Sequence, residues 1–212
     1  MSEPGPDAFL ADPQNPALNS ATMMLVGDDG RPDRLAWNTL RTLALWETDI
    51  WVPRLLDIGL GGDNPVADVE WSGASVQLWA TGLELDSGTD VLIDGPQALV
   101  VGVATLQSAP PSGETRGAMM KVVSDAGLGG RQPAFLAIVP SREDEGQLQA
   151  ALEAAASGDG LEPLAGAVGW VTWHELGELA LDLAEEEEDS LRADQVALLV
   201  DQLQARFPDI DL

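Results

Sequence analysis

Side chains that commonly carry enzyme chemistry are scarce in this chain of 212 residues. It has no cysteine, which excludes a thiol nucleophile, a thiolate metal site and a disulfide. His174 is the only histidine, so a zinc site is not expected. It falls at the second position of an expected helix, where a surface role is more typical than catalysis. Lys121 is the only lysine, and lysines ordinarily lie on the surface.

Common nucleotide-binding and hydrolase motifs are absent from the sequence. No segment matches the Walker loop Gly-x-x-x-x-Gly-Lys-Ser/Thr or the nucleophile elbow Gly-x-Ser-x-Gly. The glycines at 59–62 lack the preceding strand and following helix of a dinucleotide-binding loop. The motifs therefore indicate neither an NTPase, nor a dinucleotide enzyme, nor a serine hydrolase of that class.

The elements that must position any site alternate between helix and strand. Residues 1–22 are rich in Pro, Asn and Asp and predict a flexible N-terminal arm. A helix is expected to begin near Asp33, and Pro53 should kink it or divide it into two. Possible strands follow at 66–71, 75–85 and 89–93. The apolar run 98–106 predicts a central strand that is buried on both faces.

The second half of the chain continues the alternation. Helices are expected at 114–127 and 141–156, and strands at 134–139 and 167–171. Thr172 and Glu175 have the spacing of a capping box, which predicts the start of another helix. A last helix should begin near Ser190 and end before Pro208. Residues 23–212 are thus expected to form one α/β domain with a mixed central sheet flanked by helices.

Three short segments resemble parts of a known family of proteins. They are Leu45-Trp46-Glu47-Thr48-Asp49, Thr89-Asp90-Val91-Leu92-Ile93-Asp94 and Val100-Val101-Gly102-Val103-Ala104-Thr105. With the order of elements, they resemble the PD-(D/E)XK nuclease superfamily over roughly residues 30–205. The resemblance implies a restriction endonuclease-like core (αβββαβ) with an extra C-terminal strand and helices. In that family, carboxylates bind Mg²⁺, which activates water, and a lysine assists.

Residue by residue, the resemblance assigns the helix acid to Glu47 and the strand acid to Asp90. The family's glutamate and lysine would stand at Val103 and Thr105. A branched alkane cannot bind a metal, and a hydroxyl cannot replace an ammonium group. Two of the three catalytic side chains are therefore lost, and we expect a non-catalytic pseudoenzyme in which Asp90 is at most a vestigial metal ligand.

Two alternatives stay open for these residues. In a divergent Mg²⁺-dependent nuclease, Lys121 would reach the site and Asp94 or Glu84 would supply the second carboxylate beside Asp90. In the simpler alternative, Asp90 only ends a turn and caps a strand. Glu47 and Lys121 would then be ordinary solvated charges.

The net charge of −26 restricts the partners of the protein. Thirty-six acidic residues face ten basic ones, and residues 143–212 carry 18 acids against Arg192 and Arg206. Such a chain repels phosphate backbones, so direct nucleic-acid binding is not expected. The acidity suits either a solvated surface in a salty cytoplasm or a surface that binds a basic protein or imitates DNA.

No stretch of about 18 apolar residues and no secretory signal occurs, so we expect a cytoplasmic protein that does not enter membranes. The expected function is binding to another protein. By analogy with the family, this would be a subunit or inhibitor in a bacterial or phage defence assembly. No cofactor is expected, other than Mg²⁺ in the nuclease alternative. A third alternative is an acidic DNA mimic or immunity protein.

Overall fold

The computed structural model describes residues 32–62, 64–78, 90–107, 112–142, 145–186, 190–208 and 212. The expected arm at 1–22 lies outside these residues. The helices are α1 Pro32–Leu43, α2 Thr48–Leu60, α3 Ser112–Gly129, α4 Glu145–Ala156, α5 Trp173–Glu185 and α6 Ser190–Arg206, with a short 3-10 helix at Glu162–Leu164. The strands are β1 Ser75–Leu78, β2 Val91–Asp94, β3 Ala98–Ala104, β4 Gln132–Val139 and β5 Val168–Thr172.

The five strands form one mixed sheet in the order β1-β2-β3-β4-β5. β1, β2 and β3 are antiparallel neighbours, whereas β3, β4 and β5 run parallel. The predicted turn at 94–97 joins β2 to β3, where the Gly95 N–H donates to the Ala98 carbonyl at 3.0 Å. The helices α3 and α4 provide the crossovers that parallel strands require. The expected α/β class with a mixed central sheet is confirmed.

Helices cover both faces of this sheet. Apolar side chains of α3 and α4 pack on one face, and those of α1, α2, α5 and α6 pack on the other. All seven residues of β3 are buried, with odd-numbered side chains under α3 and α4 and even-numbered positions on the other face. The prediction that 98–106 supplies a strand buried on both faces is confirmed for 98–104.

The packing of α2 against β5 depends on two glycines. A Cβ atom on Gly169 would collide with the backbone carbonyl of Gly59. Gly59 belongs to α2, and the absence of a side chain on Gly169 lets the backbone of this helix contact β5 directly. The helix ends at Leu60, and the next residue, Gly61, adopts a φ of 82° that favours glycine.

Two local predictions from the sequence are wrong. Residues 66–71 form turns instead of a strand, since the Ala67 N–H donates to the Asn64 carbonyl at 3.1 Å. The division of the first helical region is confirmed, but the break falls at 44–47 and Pro53 lies inside α2. The break lets the chain bury Trp46, which is 4% exposed.

The start of α5 agrees closely with the sequence. The Glu175 N–H donates to the Thr172 hydroxyl at 3.1 Å, and the Thr172 N–H donates to the Glu175 carboxylate at 2.9 Å. This reciprocal pair is the predicted capping box. Within the described ranges, no helix has the length and apolar character needed to cross a membrane.

Candidate functional site

The structure brings three of the predicted site positions together at one end of β2 and β3. The β2–β3 pairing ends with Val91 opposite Gly102, and Asp90 is the residue that precedes Val91. The Asp90 N–H also donates to the Gly102 carbonyl at 3.0 Å. The Val103 side chain lies on the face of the sheet under α3 and α4. Thr105 is the first residue after β3, and its N–H donates to the Ile138 carbonyl of β4 at 2.9 Å.

The Asp90 carboxylate is engaged by the main chain. Its Oδ2 accepts a hydrogen bond from the Ala104 N–H at 2.6 Å. Ala104 is only 8% exposed, so this N–H could not be solvated easily without the carboxylate. Asp90 therefore closes the open end of the β2–β3 ladder, in the role that the capping alternative assigned to it.

Hydrocarbon occupies the position beside Asp90 where a second metal ligand would have to stand. Val103 is 2% exposed and belongs to a buried cluster that includes Met119 and Val122 of α3. A metal ion needs oxygen ligands and retained water, and this cluster supplies neither. The local packing is that of a protein core.

The hydroxyl and the carbonyl of Thr105 both accept hydrogen bonds that stabilise the fold. Thr105 is 5% exposed, and its hydroxyl accepts a hydrogen bond from the Gln107 N–H at 3.0 Å. Its carbonyl accepts one from the indole N–H of Trp173 at 3.2 Å. The loop after β3 is thereby tied to the first residue of α5, and the position that the resemblance assigns to lysine serves the fold.

The remaining sequence candidates are dispersed. Glu47 is the exposed N-cap residue of α2, and its side chain makes no capping hydrogen bond. Lys121 forms an ion pair at 2.8 Å with Asp125 on its own helix. Asp94 forms an ion pair with Arg131, at the end of β2 remote in register from Asp90.

Glu84, the other proposed second carboxylate, lies outside the described residues. In the part of the chain that the structure describes, no three His, Asp or Glu side chains come close enough to hold a metal ion. The side chains beside Asp90 do not fit Mg²⁺, because the neighbouring strand contributes only Val103 and Thr105.

A different feature of the surface is a groove of about 470 Å³ along α5. Its lining combines apolar and acidic side chains: Ile58, Glu175, Glu178, Leu179, Leu181, Asp182, Glu185 and Leu212. We call it the α5 groove. The sequence analysis missed it, although acids at 175, 178, 182 and 185 recur at helical spacing and place carboxylates along one side of the helix.

Arginine–carboxylate pairs lie at the two ends of the α5 groove. Near one end, Arg142 contacts Glu175 at 2.6 Å. Near the other, both Arg54 terminal nitrogens donate to the Glu186 carboxylate, at 2.8 and 2.7 Å. This bidentate hydrogen bond, helped by the attraction between the charges, raises the pKa of Arg54 and lowers the pKa of Glu186.

His174 lies at the second position of α5, as predicted, with its Nδ1 3.5 Å from the Glu178 carboxylate. The ring is half-buried. His174 thus belongs to the edge of the α5 groove and not to the Asp90 region.

Comparisons with family models, curated proteins and solved structures give no match to this chain.

Proposed function

We propose that this chain is a non-catalytic protein with a nuclease-like α/β core, and that it acts in the cytoplasm by binding another protein. The observation that carries the proposal is the use of the Asp90 carboxylate as an acceptor for the Ala104 N–H, 2.6 Å away. Beside it, Val103 is buried in the core. Metal-dependent phosphodiester hydrolysis needs carboxylates that are free to bind a metal ion, and the Asp90 carboxylate is already engaged by the main chain.

The order of elements supports the nuclease-like part of the proposal. One helical region, three strands, a helix and a fourth strand follow each other, as the αβββαβ resemblance requires, and a further strand and helices come after them. The hydrogen bond from the Ala104 N–H brings Asp90 close to the chain at Val103, which supports the assignment of these two positions to the carboxylates of the family. A shared architecture does not by itself assign an activity to a protein. In this chain the side chains of Val103 and Thr105 argue against nuclease activity.

Charge supports a protein partner over a nucleic acid. A net charge of −26 opposes the approach of phosphates, which bind through lysine and arginine contacts. Among the described residues, exposed acids lie on both sides of the sheet, for example Glu114 and Glu153 on one side and Asp57 and Asp201 on the other. A DNA mimic needs its carboxylates in a row on one face, so this distribution argues against that alternative and agrees with a generally solvated acidic surface.

The catalytic half of the proposal is tested with purified chain incubated with plasmid and single-stranded DNA, in Mg²⁺ or Mn²⁺. We expect no cleavage above that of the Asp90→Ala variant. Cleavage by the unmodified chain that disappears in Asp90→Ala would overturn the proposal. The comparison with the variant separates activity of this site from a contaminating nuclease.

The binding half is tested by affinity capture from cells followed by reconstitution with each purified candidate. We expect a complex of fixed stoichiometry, seen by size-exclusion chromatography with light scattering, that weakens as salt is raised. A chain that stays monomeric and forms no such complex with any captured protein would refute a role in protein binding.

A further inference from the structure

We propose that the α5 groove is the docking surface for a basic, amphipathic segment of the partner protein. This inference rests on the proposed function and deepens it by naming the surface and the chemistry of its ligand. The groove combines an apolar floor with exposed acids, and both features point to the same class of occupant.

Four apolar side chains, which we call the apolar floor, line part of the groove beside the acids. Leu179 is 3% exposed at its base, and Ile58, Leu181 and Leu212 are half-buried around it. Partly covered leucine and isoleucine side chains gain further burial when an apolar side chain is placed against them. The volume of about 470 Å³ is in the range of pockets that hold ligand groups.

Three acids of the groove, Glu178, Asp182 and Glu185, are exposed. In the described part of the chain, Asp182 and Glu185 have no basic side chain within ion-pair distance, although the charge of Arg54 acts on Asp182 from farther away. His174 is the neighbour of Glu178. From Glu178 to Glu185 the helix rises about 10 Å, or two turns. Basic side chains on two successive turns of a partner helix would match this spacing.

Two arginines of the chain, Arg142 and Arg54, form ion pairs near the two ends of this row of acids. Arg142 neutralises Glu175 near one end, and Arg54 neutralises Glu186 near the other. The exposed acids therefore lie between two pairs already formed. A second copy of the chain, with a net charge of −26, would be repelled from this surface, so a basic partner is the complementary occupant.

The test uses a fluorescein-labelled helical peptide of about 15 residues, long enough to span α5, with arginine on one face and leucine on the adjacent face. Binding to the full chain is measured by fluorescence anisotropy at about 0.15 M salt. The groove variant combines Glu178→Gln, Asp182→Asn and Glu185→Gln. We expect it to bind at least about tenfold more weakly than the unmodified chain, since three ion pairs are lost.

A matched variant removes the same charge elsewhere. It combines Glu114→Gln, Asp194→Asn and Asp201→Asn, three exposed positions on α3 and α6 that do not line the groove. We expect its affinity to change less than about threefold, through long-range attraction alone. Equal losses in the two triple variants, or no binding of the peptide to the unmodified chain, would overturn the docking proposal.

A second pair of variants tests the apolar floor. Leu181→Ser should weaken peptide binding about fivefold, whereas Leu198→Ser, on the exposed side of α6, should leave it unchanged. Identical effects of the two serines would refute an apolar contribution from the groove. The DNA cleavage assay reports separately on the proposed function, because its outcome does not depend on how the peptide binds.

Discussion

The replacement of Asp90 by alanine tests the central structural argument. In the variant the Ala104 N–H loses its acceptor, and at 8% exposure Ala104 gains little compensation from water. A hydrogen bond to a charged group contributes about 1.5–3 kcal/mol to stability. For a chain of this size, about 2 kcal/mol lowers the midpoint of thermal unfolding by about 4–8 °C. Thermal melts followed by circular dichroism would measure the shift.

A vestigial metal ligand would behave in the opposite way. Removing one carboxylate from a cluster of ligands relieves repulsion, so the metal-free variant would melt at a higher temperature, and Mg²⁺ would stabilise only the unmodified chain. Asp90→Asn keeps an oxygen acceptor and should lose about half as much stability as Asp90→Ala. The exposed control Asp201→Ala should change stability by less than about 0.5 kcal/mol. A rise in melting temperature for Asp90→Ala would refute the structural role assigned here.

Three further predictions concern the framework of the fold. Gly169→Ala pushes a methyl group into the backbone of α2 and should cost about 1–3 kcal/mol in chemical denaturation, whereas Gly127→Ala, in open space on α3, should be neutral or stabilising. Thr172→Ala removes the capping box and should cost about 1 kcal/mol, and an unchanged denaturation midpoint would contradict that role. Arg54→Gln should return the pKa of the Glu186 carboxyl to its ordinary value, seen in an NMR pH titration. Since the folded pKa of Glu186 is lowered, the stability from this pair is present at neutral pH and lost as the pH falls through that pKa, and a titration unchanged by the substitution would exclude the pairing.

Much of the fold could be predicted because its strongest signals are local. The apolar run in β3 has one physical explanation, burial on both faces, and the Thr172–Glu175 spacing fixes a helix start within four residues. The failures come where tertiary packing decides. Val66 and Trp71 lie in or beside turns, yet their side chains are buried. Such spacing of apolar residues resembles the pattern of a short strand in the sequence. Packing also tolerates Pro53 inside α2.

The candidate site was predictable in position but not in role. The strand order predicts that Asp90 lies near Val103, and Asp90 forms hydrogen bonds with the residues on either side of it, Gly102 and Ala104. The hydrogen bond from the Ala104 N–H could not be foreseen, since it depends on how β3 ends against β2. The α5 groove was missed because its lining combines residues from α2, α5 and position 212, which no local spacing connects.

The burial of Val103 beneath α3 means that a hydrolytic site could be introduced at this position only in several steps. Val103→Glu alone would place an unpaired negative charge among hydrocarbon side chains, at a cost of several kcal/mol. A chain of ordinary marginal stability would be mostly unfolded before a second substitution at Thr105 could supply an ammonium group. Directed evolution of a nuclease from this scaffold would therefore have to loosen α3 first, and selection for solubility would remove the single-step intermediates.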